Sequence, residues 1–226
     1  MFTTDVITNQ EGWIKKFQDW LKNKKTKSFC GQFATVKDMA VLIKELDDFI
    51  SEKNISSLVD IGCGDVHWIK ELKEFMNINF LGIDFIPDLI FTLNVVFSNN
   101  KNINFENVDI LTTPLKQYIN KPDLIIVHNT FTLMTFYEIL IALDNILSSN
   151  PKYIMITSYD ERQNDLRKID SRNWKPMNLE DEPFNFNSLE KLYEKNEIYS
   201  DKCLCVFKGR NLKSMIKRRL KKYFNE

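Results

Sequence analysis

Apolar positions along this chain fall into two alternating periods. Short, nearly continuous apolar runs occur at residues 57–61, 80–83, 103–108, 123–127 and 152–158, the pattern of strands buried on both faces of a sheet. Other stretches carry apolar residues at helical spacing: Trp13, Ile14, Phe17, Trp20 and Leu21 within Glu11 to Lys22, then Leu42, Leu46 and Phe49, then Val66 to Phe75, then Phe131 to Leu147. Leu189 to Tyr193 and Cys203 to Phe207 predict a closing strand pair. Strands alternating with helices predict an α/β fold: a doubly wound, mostly parallel sheet of seven strands with helices on both faces. The chain divides into an N-terminal amphipathic helix (1–27), a central domain (28–209) and a basic C-terminal helix (210–226). The first helix is expected to pack on the sheet edge, with a lid or a dimer contact as alternatives.

The strand-like runs end on polar residues, and those ends carry the chemistry. The first leads through Asp60 into Gly62-Cys63-Gly64, a turn whose glycines leave no side chain between backbone and ligand. A third glycine of the dinucleotide fingerprint is due at 67, which is His67, so a nicotinamide or flavin dinucleotide is not expected. The second run ends on Asp84, roughly 20 residues on, where a ribose-binding acid belongs; capping of the following helix is the competing role. The third ends on Asp109-Ile110 and the fourth on His128-Asn129. Ordered polar ends of this kind fit ligand binding at the carboxyl edge of an open parallel sheet.

This set resembles the motifs of class I, Rossmann-like S-adenosylmethionine-dependent methyltransferases. The resemblance implies S-adenosyl-L-methionine as cofactor, without metal. It implies a cofactor-binding set of Gly31, Thr35, Asp60, Gly62, Cys63, Gly64, Asp84, Phe85, Ile86, Asp109, Ile110, His128 and Asn129. Asp84 is then the ribose acid, Asp109 the reader of the adenine amino group, and Asn129 a partner of the methionine end. Phe29 to Thr35, Asp60 to Gly64, Trp174-x-Pro176-x-Asn178-Leu179-x-x-x-Pro183-Phe184 and Lys202 to Phe207 together are similar to a bacterial family of small methyltransferases associated with capsule and surface-polysaccharide synthesis. Members of that family carry Arg-Asp where this chain has His128-Asn129, and more glycine where it has Cys30 to Ala34. These departures bear on the acceptor, not on the cofactor.

Composition narrows the picture. With 226 residues and 43% hydrophobic content the chain can bury one full core, and 31 basic against 31 acidic residues give no global field toward nucleic acid or membrane. No apolar run approaches the ~18 residues of a membrane span. Cysteines stand at 30, 63, 203 and 205; Cys203-x-Cys205 shows strand alternation and not metal-ligand spacing, so reduced thiols and a cytoplasmic location are expected. From Lys208 to Lys222 there are eight basic residues and no acid, with Leu212, Met215, Ile216 and Leu220 at helical spacing. That tail is expected to lie outside the sheet and to be dispensable, either solvated or in weak contact with an anionic surface.

For the acceptor, His128 is read as a general base or acceptor contact, with a cofactor-edge role as the alternative. Tyr159 and Asp160, just past the fifth strand, are candidates to orient or deprotonate the acceptor. Residues 159–187 lose regular periodicity and mix charges, amides and rings, and long loops of this kind in compact domains are commonly functional. Glu161, Asn164, Trp174, Asn178 and Phe184 are the expected substrate contacts, with core packing the competing role for the two aromatics. The expected function is O-methylation of a sugar hydroxyl or a phosphate-linked group, such as a phosphoramidate, on a polysaccharide precursor or nucleotide-activated sugar. An RNA methyltransferase or a non-catalytic scaffold are the alternatives, the former opposed by the absence of net positive charge.

Overall fold

The apolar runs become seven strands: β1 (Ser57–Ile61), β2 (Asn79–Asp84), β3 (Ile103–Asn107), β4 (Leu124–Val127), β5 (Tyr153–Tyr159), β6 (Glu190–Tyr193) and β7 (Lys202–Lys208). The computed structural model describes residues 3–23, 36–166, 174–194 and 199–224. Gly31 and Thr35 lie outside the described residues. The strands form one sheet in the order β3-β2-β1-β4-β5-β7-β6. All pairings are parallel except those of β7, which runs antiparallel to both β5 and β6. Strand order reverses between β1 and β4, and an open α/β sheet binds ligands in the crevice beyond its carboxyl ends at such a point. The turn at Gly62 and the β4 end at His128 therefore open onto the same crevice.

Alternation along each strand divides the core into two layers. Leu58, Leu124 and Ile126 face a layer built with α1 (Thr3–Asn23), α2 (Ala40–Lys53) and α3 (Pro87–Val96), where Phe17, Leu42, Leu46 and Leu89 are buried. Val59, Ile61 and Ile125 face α4 (Phe136–Leu147), α5 (Gly209–Phe224) and the ring pair Phe184–Phe186. Local signals set the helix ends. Thr135 and Glu138 form a reciprocal capping box at the start of α4, satisfying two backbone donors that the helix itself cannot. Pro87 occupies the first turn of α3, where its missing N–H costs nothing, and Asn54 ends α2 in the left-handed conformation.

Two expectations are corrected. Residues 66–75 are not an α-helix: Val66 takes φ +49°, a conformation a β-branched residue adopts at a cost, and only Ile69–Glu71 forms a single 3-10 turn. Trp68, Ile69, Leu72 and Phe75 are nevertheless buried, so the helical spacing reported which residues face the sheet and not how the backbone reaches it. The basic C-terminal segment is no appendage. Leu212 and Ile216 are fully buried against α4, with Met215 and Leu220 packed beside them, so α5 completes one layer of the core. Its apolar stripe is thereby largely covered, and Arg210, Lys217, Arg218 and Lys221 are exposed. No helix among the described residues is long and apolar enough to cross a membrane.

Candidate functional site

The turn after β1 is held by its neighbours on both sides. Gly62 and Cys63 donate backbone N–H groups to the Ile83 carbonyl at the end of β2 (2.8 and 3.0 Å). Thr130, beyond β4, donates its hydroxyl to the Ile61 carbonyl at 2.8 Å. Gly62 has φ +72°, and a Cβ there would lie 2.4 Å from Thr130 Oγ1, so both conformation and space require glycine. Gly64, at φ +53°, donates its N–H to Asp84 Oδ2 at 3.2 Å, while Asp84 Oδ1 accepts from Ile86 N–H at 3.1 Å. These bonds hold the Asp84 carboxylate at the mouth of the glycine turn, and each of its oxygens retains a further lone pair for a ligand hydroxyl.

Asp60 is 3% exposed, and its Oδ1 is buried without a hydrogen-bond partner. Burial, and then the charge of Asp84, push its carboxyl up to about 7; burial raises Asp84 to about 6 against the pull of the backbone donors at Gly64, Ile86 and Phe85. Two acids with raised pKa values lie beside the glycine turn, and the buried Asp60 Oδ1 has no donor, an arrangement short of positive charge and of one hydrogen bond. S-adenosylmethionine fits that deficit: its ammonium and sulfonium supply positive charge and its ribose hydroxyls supply donors. The described members of the expected cofactor set at the ends of β2 and β3 differ in exposure. Phe85 is half-buried, Ile86 is buried, and Asp109 is half-buried with Oδ1 accepting from Leu111 N–H at 2.9 Å. Ile110 is buried in the core, its carbonyl accepting from Asn145 of α4 at 2.8 Å. Cys63 is buried and directs its thiol to the Gly64 carbonyl.

At the end of β4 the chain turns through Asn129, which has φ +58° and donates its N–H to Thr157 Oγ1 at 2.9 Å. This turn aims His128 into a polar cluster. His128 Nε2 is 2.8 Å from Glu194 Oε1, whose other oxygen is 2.8 Å from Lys202 Nζ; the Trp68 ring meets the imidazole edge-on at 5.1 Å. Burial pushes His128 below its ordinary value and Lys202 adds to this, so the imidazole is neutral at pH 7 although Glu194 opposes both. Next to the cluster, Tyr159 packs edge-on against Trp174 (6.3 Å) and Tyr199 (5.6 Å). Arg162 lies over the Tyr159 and Tyr199 rings and forms a bidentate pair with Asp201 at 2.6 and 3.2 Å. Trp174 keeps 47% of its surface exposed and is the open face of this wall.

Other residues expected at the acceptor are drawn into the fold. Asp160 accepts from the Tyr193 hydroxyl and from Lys191 Nζ (3.2 Å), so its carboxylate is tied to β6. Asn164 and Asn178 clamp the loop: Asn164 bonds the carbonyls of Asn178 and Glu182, and Asn178 bonds those of Asp160 and Arg162. Phe184 is fully buried between Phe136 (5.2 Å) and Phe186 (5.7 Å), so it is a core ring. Glu161 is exposed on the loop. Tyr159 is buried, and this together with the charge of Glu194 drives its hydroxyl pKa upward, which makes it a donor and not a base. Glu194, Lys202, Arg162 and Tyr199 are missing from the sequence-based site. Glu194 directly follows the β6 run, so the strand-end rule applied to the first four strands would have found it had it been extended to the closing pair.

Comparison with known proteins agrees with this geometry. Residues 52–225 match the family described as Methyltransferase domain. The sequence matches no curated protein. Among solved structures, the fold is similar to the N-methyltransferase NodS from Bradyrhizobium japonicum WM9 in complex with S-adenosyl-L-homocysteine: 16% identity over 85% of this chain and 97% of that one, TM-score 0.59. It is also similar to PigF with S-adenosylhomocysteine, at 16% identity, 79% of this chain, 56% of that chain and TM-score 0.55. The third is the CMeT domain of the citrinin polyketide synthase, with 13% identity over 74% of this chain and TM-score 0.54; the chain spans about half of that one, 52%. Glycine turn, strand-end acids, sheet order and family match converge: the chain belongs to the methyltransferase-domain family and has the fold of the S-adenosylmethionine-dependent methyltransferases.

Proposed function

We propose that the protein transfers the methyl group of S-adenosylmethionine to a hydroxyl oxygen of a polar, ring-bearing small molecule, with His128 as general base. The observation that carries this reading is the buried, neutral His128 at the carboxyl end of β4, beside the wall of Tyr159, Trp174 and Tyr199. The bound cofactor supplies an electrophilic methyl on a positively charged sulfur. The chain's own residues do the rest. Asp60 and Asp84 bind and orient the cofactor, the aromatic wall holds the acceptor ring, and His128 takes the hydroxyl proton. Alignment of acceptor and methyl is the main source of rate in such a displacement. A ring stacked on Trp174 with Arg162 beside it suits a sugar or a phosphate-linked group on a polysaccharide precursor. The basic helix gives little support to an RNA acceptor: Lys213 bonds Asn150 Oδ1 at 2.7 Å, next to the amino end of β5 and on the opposite edge of the sheet from the site.

The test is methyl transfer from labelled cofactor to panels of nucleotide-activated sugars, other small hydroxyl compounds and RNA. His128→Ala is expected to lower turnover by roughly 10²–10⁴-fold with cofactor affinity near wild type, and Trp174→Ala to raise the acceptor KM alone. Methylation of RNA with no turnover of the small molecules refutes the reading.

A further inference from the structure

Neither Glu194 nor Lys202 was among the expected site residues, yet they form the most deeply buried ion pair among the described residues. Glu194 follows β6 and Lys202 opens β7; the Glu194 N–H donates to the Lys202 carbonyl at 3.1 Å, so one hairpin presents both side chains at the carboxyl edge of the sheet. Their side chains are 1% and 8% exposed. A carboxylate so buried needs a compensating charge and full hydrogen bonding. Lys202 supplies the charge at Oε2, and Oε1 faces His128 Nε2, both at 2.8 Å. Burial works against ionisation of Glu194, but His128 and Lys202 bring its carboxyl down to about 2. An ionised carboxylate only accepts hydrogen bonds, so the proton between the two side chains sits on Nε2 and, in the neutral ring, Nδ1 carries the lone pair. Among the described residues the Asn129 amide lies 3.5 Å from Nδ1 and 3.4 Å from Nε2, too long at either for a firm bond.

We propose that Glu194 and Lys202 are positioning residues for methyl transfer: Glu194 holds His128 as the Nε2–H tautomer with Nδ1 as the proton acceptor, and Lys202 cancels the charge of Glu194 so that the imidazole works as a neutral base. This rests on the reading of His128 as the base. As the acceptor oxygen bonds to the methyl carbon, the carbon–sulfur electron pair leaves with sulfur and the hydroxyl proton moves to Nδ1. The imidazolium so formed lies against Glu194, then releases the proton to solvent. The charges acting on the ring are those of Glu194, after β6, and Lys202, on β7. Trp68 is its neutral ring neighbour, and Tyr159 on β5 lies within reach of the Glu194 charge.

This arrangement predicts titration shifts of opposite sign, and unlike a merely structural role it also predicts that the pH profile of turnover moves with them. Glu194 raises the His128 pKa and Lys202 lowers it, so Glu194→Gln shifts the imidazole titration to lower pH and Lys202→Met shifts it to higher pH. The double variant returns toward wild type. The chain has two histidines, so imidazole nitrogen NMR on labelled protein gives two ring systems, assigned with His67→Gln. The wild type is expected to show His128 as the Nε2–H tautomer. Turnover in Glu194→Gln is expected to fall about tenfold or more at unchanged cofactor affinity, with the acid limb of the kcat profile moving as the NMR titration does. An Nδ1–H tautomer in the wild type overturns the proposal, and that measurement needs no variant to fold. Shifts in the same direction, or none, also overturn it. Opposed shifts combined with full turnover in His128→Ala refute the base reading and reduce the three residues to a buried structural network.

Discussion

Asp60→Asn tests the cofactor site most sharply, because it is expected to strengthen the fold while weakening the function. In the cofactor-free protein the Asp60 carboxyl is raised from 3.8 to about 7, by burial first and then by Asp84. A pKa raised on folding contributes stability below the unfolded value, and that contribution is lost as pH rises through the folded one. At pH 8 the free protein therefore carries nearly the full cost of the buried charge, roughly 4 kcal/mol for a shift of this size. Asparagine has the same shape and no charge. Its buried amide costs about 1–3 kcal/mol of lost hydrogen bonding, which leaves a net gain of ~1–3 kcal/mol at pH 8, or about 3–9 °C in Tm. At pH 5, where Asp60 is protonated, the gain should vanish or reverse. Binding goes the other way. Losing a charge-assisted bond worth ~1.5–3 kcal/mol weakens the cofactor about 10- to 150-fold. In the wild type, ionisation of Asp60 makes binding ~30-fold weaker at pH 5.5 than at high pH, a dependence the variant should lack. Thermal melts with and without S-adenosylhomocysteine at pH 5, 6.5 and 8, with calorimetric Kd values, measure all of this. Wild-type affinity in Asp60→Asn, or a Tm difference independent of pH, would refute the assignment of Asp60.

Two further changes probe the scaffold. Gly62→Ala places a Cβ on Thr130 Oγ1 at φ +72° and should cost ~2–4 kcal/mol together with the cofactor-induced thermal shift; an alanine variant with wild-type melting would show that the turn can relax. Truncation after Gly209 removes the buried Leu212 and Ile216. At about 1.5–3 kcal/mol for each side chain this takes much of a typical domain's stability, so the truncated chain should lose its cooperative melt, and one that melts like the full protein would contradict the packing of α5.

The sequence by itself determined the layered α/β fold and which polar residues end its parallel strands, since both follow from patterns short enough to read in one dimension. Period-two and continuous apolar runs specify buried strands, and a polar residue at the end of each parallel strand necessarily lies on one edge of the sheet. The placement of Asp60, Asp84 and His128 at strand ends, with the Gly62–Gly64 turn beside them, was legible for that reason. The tertiary structure decided whatever depends on neighbours far apart in the chain. Trp68 and Phe75 follow helical spacing, yet the left-handed Val66 turns their segment into a loop. Leu212 and Ile216 become core only because α4 lies alongside. Asn164 and Asn178 look like adaptable contacts until their amides are seen holding loop carbonyls. The Glu194 pairing with His128 spans 66 residues, and neither side chain signals the other locally. A buried charge is tolerable only where folding delivers its partner, so that part of the site exists in the packed chain alone.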